Sequence, residues 1–363
     1  MNKLLLGSAA IAGLVLASAP AQAQMELTIG GHSKNYIGYL DQDSGDVQDF
    51  DMVRETELHF NGESTLDSGL TFGFQIETEV DSGDDANTIE ESYIYMSGAF
   101  GRVNLGSEDG AAYLLQVAAP SADSNIDGIR QYVQPVNYAA AGLAGSGGFA
   151  FNAPADASQN DGFDYDQDIT GKAEKITYLS PNFSGFQVGA SYTHDLGDTG
   201  SVDPVANGFN AEDDGGFDEG YEVAARYEGV LSNFGYALGA GYTHAEDAGA
   251  GDDYDGWNVG LDVDAGPFGI GAAYLDEEIN EDVQTYVVGA DYTTGPFKFG
   301  ASYYRQEDEN VAGDLDTDRY TGGVIYTAGP GLSFRGSVSY IDHDSDVADE
   351  EATSVMGGVQ INF

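Results

Sequence analysis

The 363-residue sequence carries 62 Asp and Glu against 12 Lys and Arg, a formal net charge of −50, and contains no cysteine. That balance excludes the usual nucleic-acid partner, because phosphate binding needs clustered cations, and it leaves neither a disulfide framework nor a thiolate metal site. With 51 Gly, 23 Tyr and 18 Phe against 9 Pro and one Trp, the composition favours strands and turns, so stability has to come from a sheet.

The N-terminus reads as a secretory signal peptide over residues 1–23. Lys3 is its only charge, an apolar run follows from Leu4 to Leu16, and small residues lead to Ala21-Gln22-Ala23, the A-x-A pattern of a cleavage site. The run is shorter than the ~18–20 residues a spanning helix needs. Residues 24–363 are then read as one unit. Their alternation of apolar with polar or glycine residues has the period of strands with one apolar face. Phe186, Val188, Ala190 and Tyr192 share one parity, as do Trp257, Val259, Leu261 and Val263, then Phe268, Ile270, Ala272 and Tyr274, and later Leu332, Phe334, Gly336, Val338 and Tyr340. In chain order the pattern predicts strands near 25–40, 50–62, 69–80, 88–97, 101–107, 171–180, 186–194, 220–228, 234–243, 256–264, 268–276, 283–292, 297–305, 318–327, 332–341 and 353–363, sixteen in all.

The connections alternate in kind. One class is short and rich in Gly, Pro and Phe: SPNFSGF (180–186), DAGPFG (264–269), TTGPFK (293–298) and TAGPGL (327–332). The other is long and acidic, as in HAEDAGAGDDYD (244–255) and DHDSDVADEE (342–351). Tyr192, Tyr242, Tyr274, Tyr303 and Tyr340 stand just before acidic loops, and Phe186, Phe234, Phe268, Phe297 and Phe334 just after short turns. Two aromatic rows with short turns on one side and long loops on the other predict an all-β fold, a transmembrane antiparallel up-and-down β-barrel, rather than a soluble sandwich. The mean hydropathy of −0.28 does not oppose this, since a transmembrane strand shows lipid only every second residue. The one long irregular stretch, 107–170, exceeds ordinary loop lengths, which points to a functional loop.

Three segments carry a family resemblance: AFGRVNLGSEDG (99–110), KITYLSPNFSGFQVGASY (175–192) and the C-terminal VMGGVQINF (355–363). Together with the strand count they resemble the trimeric general porins of Gram-negative bacteria, closest to the acidic sixteen-stranded porins of photosynthetic and related α-class bacteria, over essentially all of 24–363. The resemblance implies an outer-membrane diffusion channel for small hydrophilic solutes and ions, assembled as a homotrimer among lipid and lipopolysaccharide. It implies that the barrel-assembly machinery reads the terminal Phe363, and that the third loop folds into the lumen, with Glu108, Asp109, Asp123 and Asp127 as candidate constriction carboxylates. Where the family's fifth strand often ends Leu-Gly-Arg, this chain has Leu105-Gly106-Ser107, which removes a wall cation and argues against anion preference.

Strand parity places Arg102, Lys175, Arg226, Arg319 and Arg335 on the lumen face, as a basic wall opposing the loop. Arg54 is a sixth wall candidate, although it falls on the parity of Met52, Leu58 and Phe60. With so few cations inside and so many acids on one mouth, the channel is expected to prefer cations. His32, His59, His194, His244 and His343 are scattered without ligand spacing, so no catalytic or imidazole-metal site is expected and no cofactor is required. Oxygen-rich clusters, Asp252, Asp253 and Asp255 or Asp342, Asp344 and Asp346, suit Ca²⁺, which would also bridge to lipopolysaccharide. The competing reading from a different class is a pore-free secreted or surface Ca²⁺-binding β-protein, adhesin-like in kind.

Overall fold

Alternating side chains give each strand one apolar and one polar face, and a sheet of such strands in lipid must close so that no edge is left unpaired. The computed structural model describes residues 25–43, 49–80, 88–120, 126–127, 130–131, 165–196, 216–249, 251–279, 281–309, 315–345 and 349–363. The expected signal peptide lies outside them. The first five strands are β1 (Glu26–Gln42), β2 (Phe50–Thr65), β3 (Thr71–Glu79), β4 (Thr88–Gly98) and β5 (Gly101–Ser107). A short helix, α1 (Ala111–Leu114), and a two-stranded ribbon, β6 (Ile126–Asp127) with β7 (Arg130–Gln131), belong to the long third loop. The wall resumes with β8 (Glu174–Leu179), β9 (Phe186–Thr193), β10 (Phe217–Leu231), β11 (Phe234–Asp247), β12 (Tyr254–Ala265) and β13 (Phe268–Ile279). It ends with β14 (Glu281–Thr294), β15 (Phe297–Asp308), β16 (Leu315–Gly329), β17 (Leu332–Ser345) and β18 (Glu350–Asn362).

All sixteen expected strands are present and join one closed antiparallel barrel, from which only the unexpected β6 and β7 stand apart among the described residues. Closure is made by β1 on β18, in register from His32 opposite Asn362 to Gln42 opposite Ala352. Gly31 and Phe363 complete the seam by exchanging both backbone hydrogen bonds, at 3.0 and 3.1 Å. Phe363 faces outward with Val355 and Ile361, all of them exposed.

The barrel is inside-out relative to a soluble protein. Exposed apolar residues such as Leu238, Leu261, Ile270, Val288, Phe299 and Val338 cover its outer face, while Thr177, Glu222, Asn258, Thr285 and Thr321 point inward and are buried. Both aromatic rows form. Near the acidic loops Trp257 packs on Tyr274 (4.8 Å between centroids), Tyr274 on Tyr286 (4.9 Å) and Tyr303 on Tyr320 (5.0 Å). Near the short turns Phe268 meets Tyr292 (4.9 Å) and Phe297 meets Tyr326 (4.9 Å). Tyrosine suits the loop-side row because its ring stays in the apolar belt while its hydroxyl reaches a polar partner: Tyr274 donates to Asp276 at 2.5 Å and Tyr221 to Glu219 at 2.6 Å.

Candidate functional site: a lumen with a docked loop

After β5 the chain turns inward and lies along the inner wall. The backbone N–H of Ala111 donates to Ser191 Oγ (2.8 Å) and that of Ala112 to Glu222 Oε2 (2.9 Å), so β9 and β10 hold the first turn of the loop. Glycines then open a track across the next strands. A Cβ on Gly260 would overlap the Val117 carbonyl, and one on Gly289 would overlap that of Pro120. Beyond the track an apolar patch formed by Leu275, Val287, Tyr304 and Ile341 faces the lumen and is covered by Ala119 and Tyr165. The outgoing and returning limbs clamp each other: Gln116 Nε2 donates to the Tyr165 carbonyl (2.7 Å), and the N–H of Gln167 donates to Gln116 Oε1 (3.1 Å). Each large aliphatic side chain so covered contributes ~1.5–3 kcal/mol. The loop is therefore part of the lumen wall.

The basic candidates divide by role. Arg102 points inward as expected, stacked 4.0 Å over the Tyr95 ring and donating to Asn104 Oδ1 at 2.6 Å. Arg319 lies inward over Tyr304 at 5.1 Å, and Arg335 Nε reaches Ser333 Oγ at 3.4 Å. Lys175 is buried, and its ammonium donates to the carbonyls of Glu108 and Gly171, while Arg226 Nη1 donates to the Gln116 carbonyl at 2.9 Å. Those two cations fasten the loop. The five stand on β5, β8, β10, β16 and β17, so they do not form one opposing wall.

Arg54 is corrected. It is exposed on the outer face, opposite Asn35 on β1, while Glu55 and Glu57 take the inward positions. The parity of Met52 holds through this strand with no bulge to reverse it.

Glu108 and Asp109 lie on the lumen side but at the root of the loop, only 5% and 6% exposed, and so do not present free carboxylates to the pore. Glu108 accepts from Asn104 Nδ2, and Asp109 from Lys172, which also bonds Glu91 Oε1 at 2.7 Å. Burial pushes the Glu108 carboxyl up to about 7, with the Asn104 hydrogen bond acting the other way. Asp123 and the side chain of Asp127 lie outside the described residues. Of the Ca²⁺ candidates, Asp253 Oδ1 accepts the N–H of Asp247 (3.0 Å) and Asp255 is engaged by Tyr242 and His244, while Asp342 and Asp344 sit on β17. Asp346 lies outside the described residues.

Sequence spacing missed the carboxylates and imidazoles of the β1–β4 wall. Glu55, Glu57 and His59 alternate inward on β2, Glu77 stands beside His59 and opposite Glu91, and His32 completes the group from β1. The ring centroids of His32 and His59 are 6.3 Å apart although the residues are 27 positions apart in the chain. The period-2 pattern of β2 carried the signal for the carboxylates. Only the hairpin register brings His32 to the same place.

A closed sixteen-stranded barrel with an apolar belt, two aromatic girdles, a polar interior and an internal loop is a transmembrane pore of the outer-membrane type. The profile of the Gram-negative porin family matches residues 7–346, and the chain belongs to that family. It is 26% identical over 229 residues to outer membrane porin protein 32 of Delftia acidovorans, a match covering 59% of this chain and 57% of that protein. Its fold is that of an anion-selective porin from Comamonas acidovorans (TM-score 0.64, 17% identity, 94% of this chain and 100% of that one). A porin refined at 1.8 Å has the same fold (TM-score 0.60, 20% identity, 93% and 100%), as does a mutant Rh. blastica porin (TM-score 0.57, 18% identity, 93% and 100%). The protein is thus a barrel of the bacterial outer membrane, and its family and fold are those of non-enzymatic channels. This family membership displaces the reading as a pore-free surface protein.

Proposed function

We propose that this porin is a cation-preferring, homotrimeric diffusion channel for small hydrophilic solutes. The observation that carries the preference is the lumen wall itself: Glu55, Glu57, Glu77 and Glu91 cluster on the inner faces of β2, β3 and β4, with Lys34 beside Glu55 and Lys172 beside Glu91, while Lys175 and Arg226, further round the wall, are held by loop carbonyls. The formal charge of −50 adds an acidic outer mouth that raises local cation concentration within a Debye length of ~8 Å at physiological salt. Passage through such a lumen needs no binding step, so uptake falls with solute size. Liposome swelling with neutral sugars of increasing size tests this: rates that decline smoothly with size are expected, and no swelling with the smallest sugars rejects the channel.

Trimer formation is supported by the outer face of β1 and β2. Ser33, Asn35, Arg54 and Thr56 make a polar patch in the apolar belt, with Ser33 Oγ 3.0 Å from Thr56 Oγ1 and Asn35 Nδ2 3.1 Å from Ser33 Oγ. An arginine facing hydrocarbon costs ~2–4 kcal/mol at mid-depth, a cost that a neighbouring subunit removes. At the outer rim Asp316, Asp318, Asp342, Asp344 and Glu351 lie on adjacent strands, and Arg305 bonds the first two at 2.8 and 2.9 Å. The remaining carboxylates are suited to divalent cations shared with lipopolysaccharide.

A further inference from the structure

We infer that the β1–β3 lumen wall holds a site for a divalent transition-metal ion of the zinc class, built from His32, Glu57 and His59. Each offers one ligand atom, and the three atoms lie within 4.8 Å of one another. In a tetrahedral zinc site with bonds of ~2.0–2.2 Å, ligand atoms stand about 3.4 Å apart, so side-chain rotation of about an ångström closes the set. His32 and Glu57 are paired across β1 and β2, and His59 is two residues along the same strand face. The positions are thus fixed by the sheet ladder, the kind of rigid support a metal site requires.

The surroundings make this more than an acidic patch. Glu55 Oε1 is 2.6 Å from His32 Nε2 and stands ready as a fourth ligand, in competition with Lys34, whose ammonium is 3.1 Å from its other oxygen. Glu77 Oε1 is 3.5 Å from His59 Nδ1 while His59 Nε2 bonds Glu57. Glu77 thus stands within ion-pair distance of the second ring nitrogen, the place from which a carboxylate orients a ligating histidine and sets its tautomer. Two imidazole nitrogens with one or two carboxylate oxygens select zinc-like ions, whereas Ca²⁺ and Mg²⁺ require six or more oxygens. The side chains are 15% (His32), 10% (Glu57) and 30% (His59) exposed, so an ion enters from the lumen without unfolding the wall. On the reading of this lumen as a cation path, a bound dication would add positive charge to the acidic wall and weaken the preference.

The test uses the intact detergent-solubilised protein, stripped with a chelator and titrated with zinc. X-ray absorption at the zinc edge on the wild-type protein is expected to show scattering from two imidazoles at one equivalent per chain. The H32N/H59Q variant is expected to lose that signal, and E77Q to bind about tenfold to a hundredfold more weakly, each with unchanged heat-modifiable gel mobility. Oxygen-only scattering, fewer than two imidazoles, or equal affinity in H32N/H59Q overturns the site. Because the wild-type spectrum needs no variant, misfolding cannot hide the answer. Sugar permeation measured in chelator tests the channel separately.

Discussion

Replacing Glu222 by Ala should release the internal loop from the wall. Glu222 is 2% exposed and accepts two hydrogen bonds from the loop, from the Ala112 N–H at 2.9 Å and from Thr170 Oγ1. It therefore ties the outgoing and returning limbs together. Hydrogen bonds to a charged acceptor contribute ~1.5–3 kcal/mol each, so losing both removes at least about 3 kcal/mol of docking free energy. At 1.4 kcal/mol per factor of ten, the ratio of undocked to docked loop rises roughly a hundredfold. The apolar cover of Leu275, Val287 and Ile341 by Ala119 and Tyr165 still opposes full release. The expected phenotype is therefore a flickering, larger conductance instead of a new stable level. Single-channel recording in planar bilayers reads this directly, with trypsin cleavage in the loop as a second measure. Wild-type conductance and open-channel noise in E222A, with unchanged protease resistance, would refute the docking argument.

Phe363→Asp should leave export intact but sharply reduce heat-modifiable barrel in the outer membrane, because the seam loses the outward aromatic at its last residue. R54L, removing the charge from the outer patch, should weaken the SDS-resistant oligomer less than R54E, and light scattering reports the mass. Glu108 gives a pH signature. Its carboxyl, raised to about 7 by burial, is neutral below that pH, so its ionisation opposes folding progressively as pH rises from the ordinary 4.5 through 7. E108Q should abolish that fall in stability, measured as the heat-modification temperature of the detergent-solubilised barrel from pH 4 to 8.

The strands were legible because lipid outside and water inside impose strict alternation, and that same alternation oriented Arg102, Lys175, Arg226, Arg319 and Arg335 correctly. Arg54 shows what happens when charge is allowed to outvote parity: Met52 and Leu58 already placed it outside. Glu108 and Asp109 are lumen-side residues but not free pore groups: Asn104 bonds Glu108, and the cation that neutralises Asp109, Lys172, lies 63 residues further along the chain. Such a contact depends on the path of the returning loop, which no local pattern records. The inner glycines Gly260 and Gly289 were visible only as gaps in the polar register, and their use as a track for Val117 and Pro120 required the folded loop. His32 and His59 looked isolated because the hairpin register, not spacing along the chain, brings them together.

The zero-current potential across a planar bilayer under a tenfold salt gradient, at low ionic strength and in chelator, tests the central claim most directly. The account predicts stepwise, ohmic channels whose potential has the sign of cation preference and shrinks as salt is raised. Channels with anion preference at low salt would contradict it.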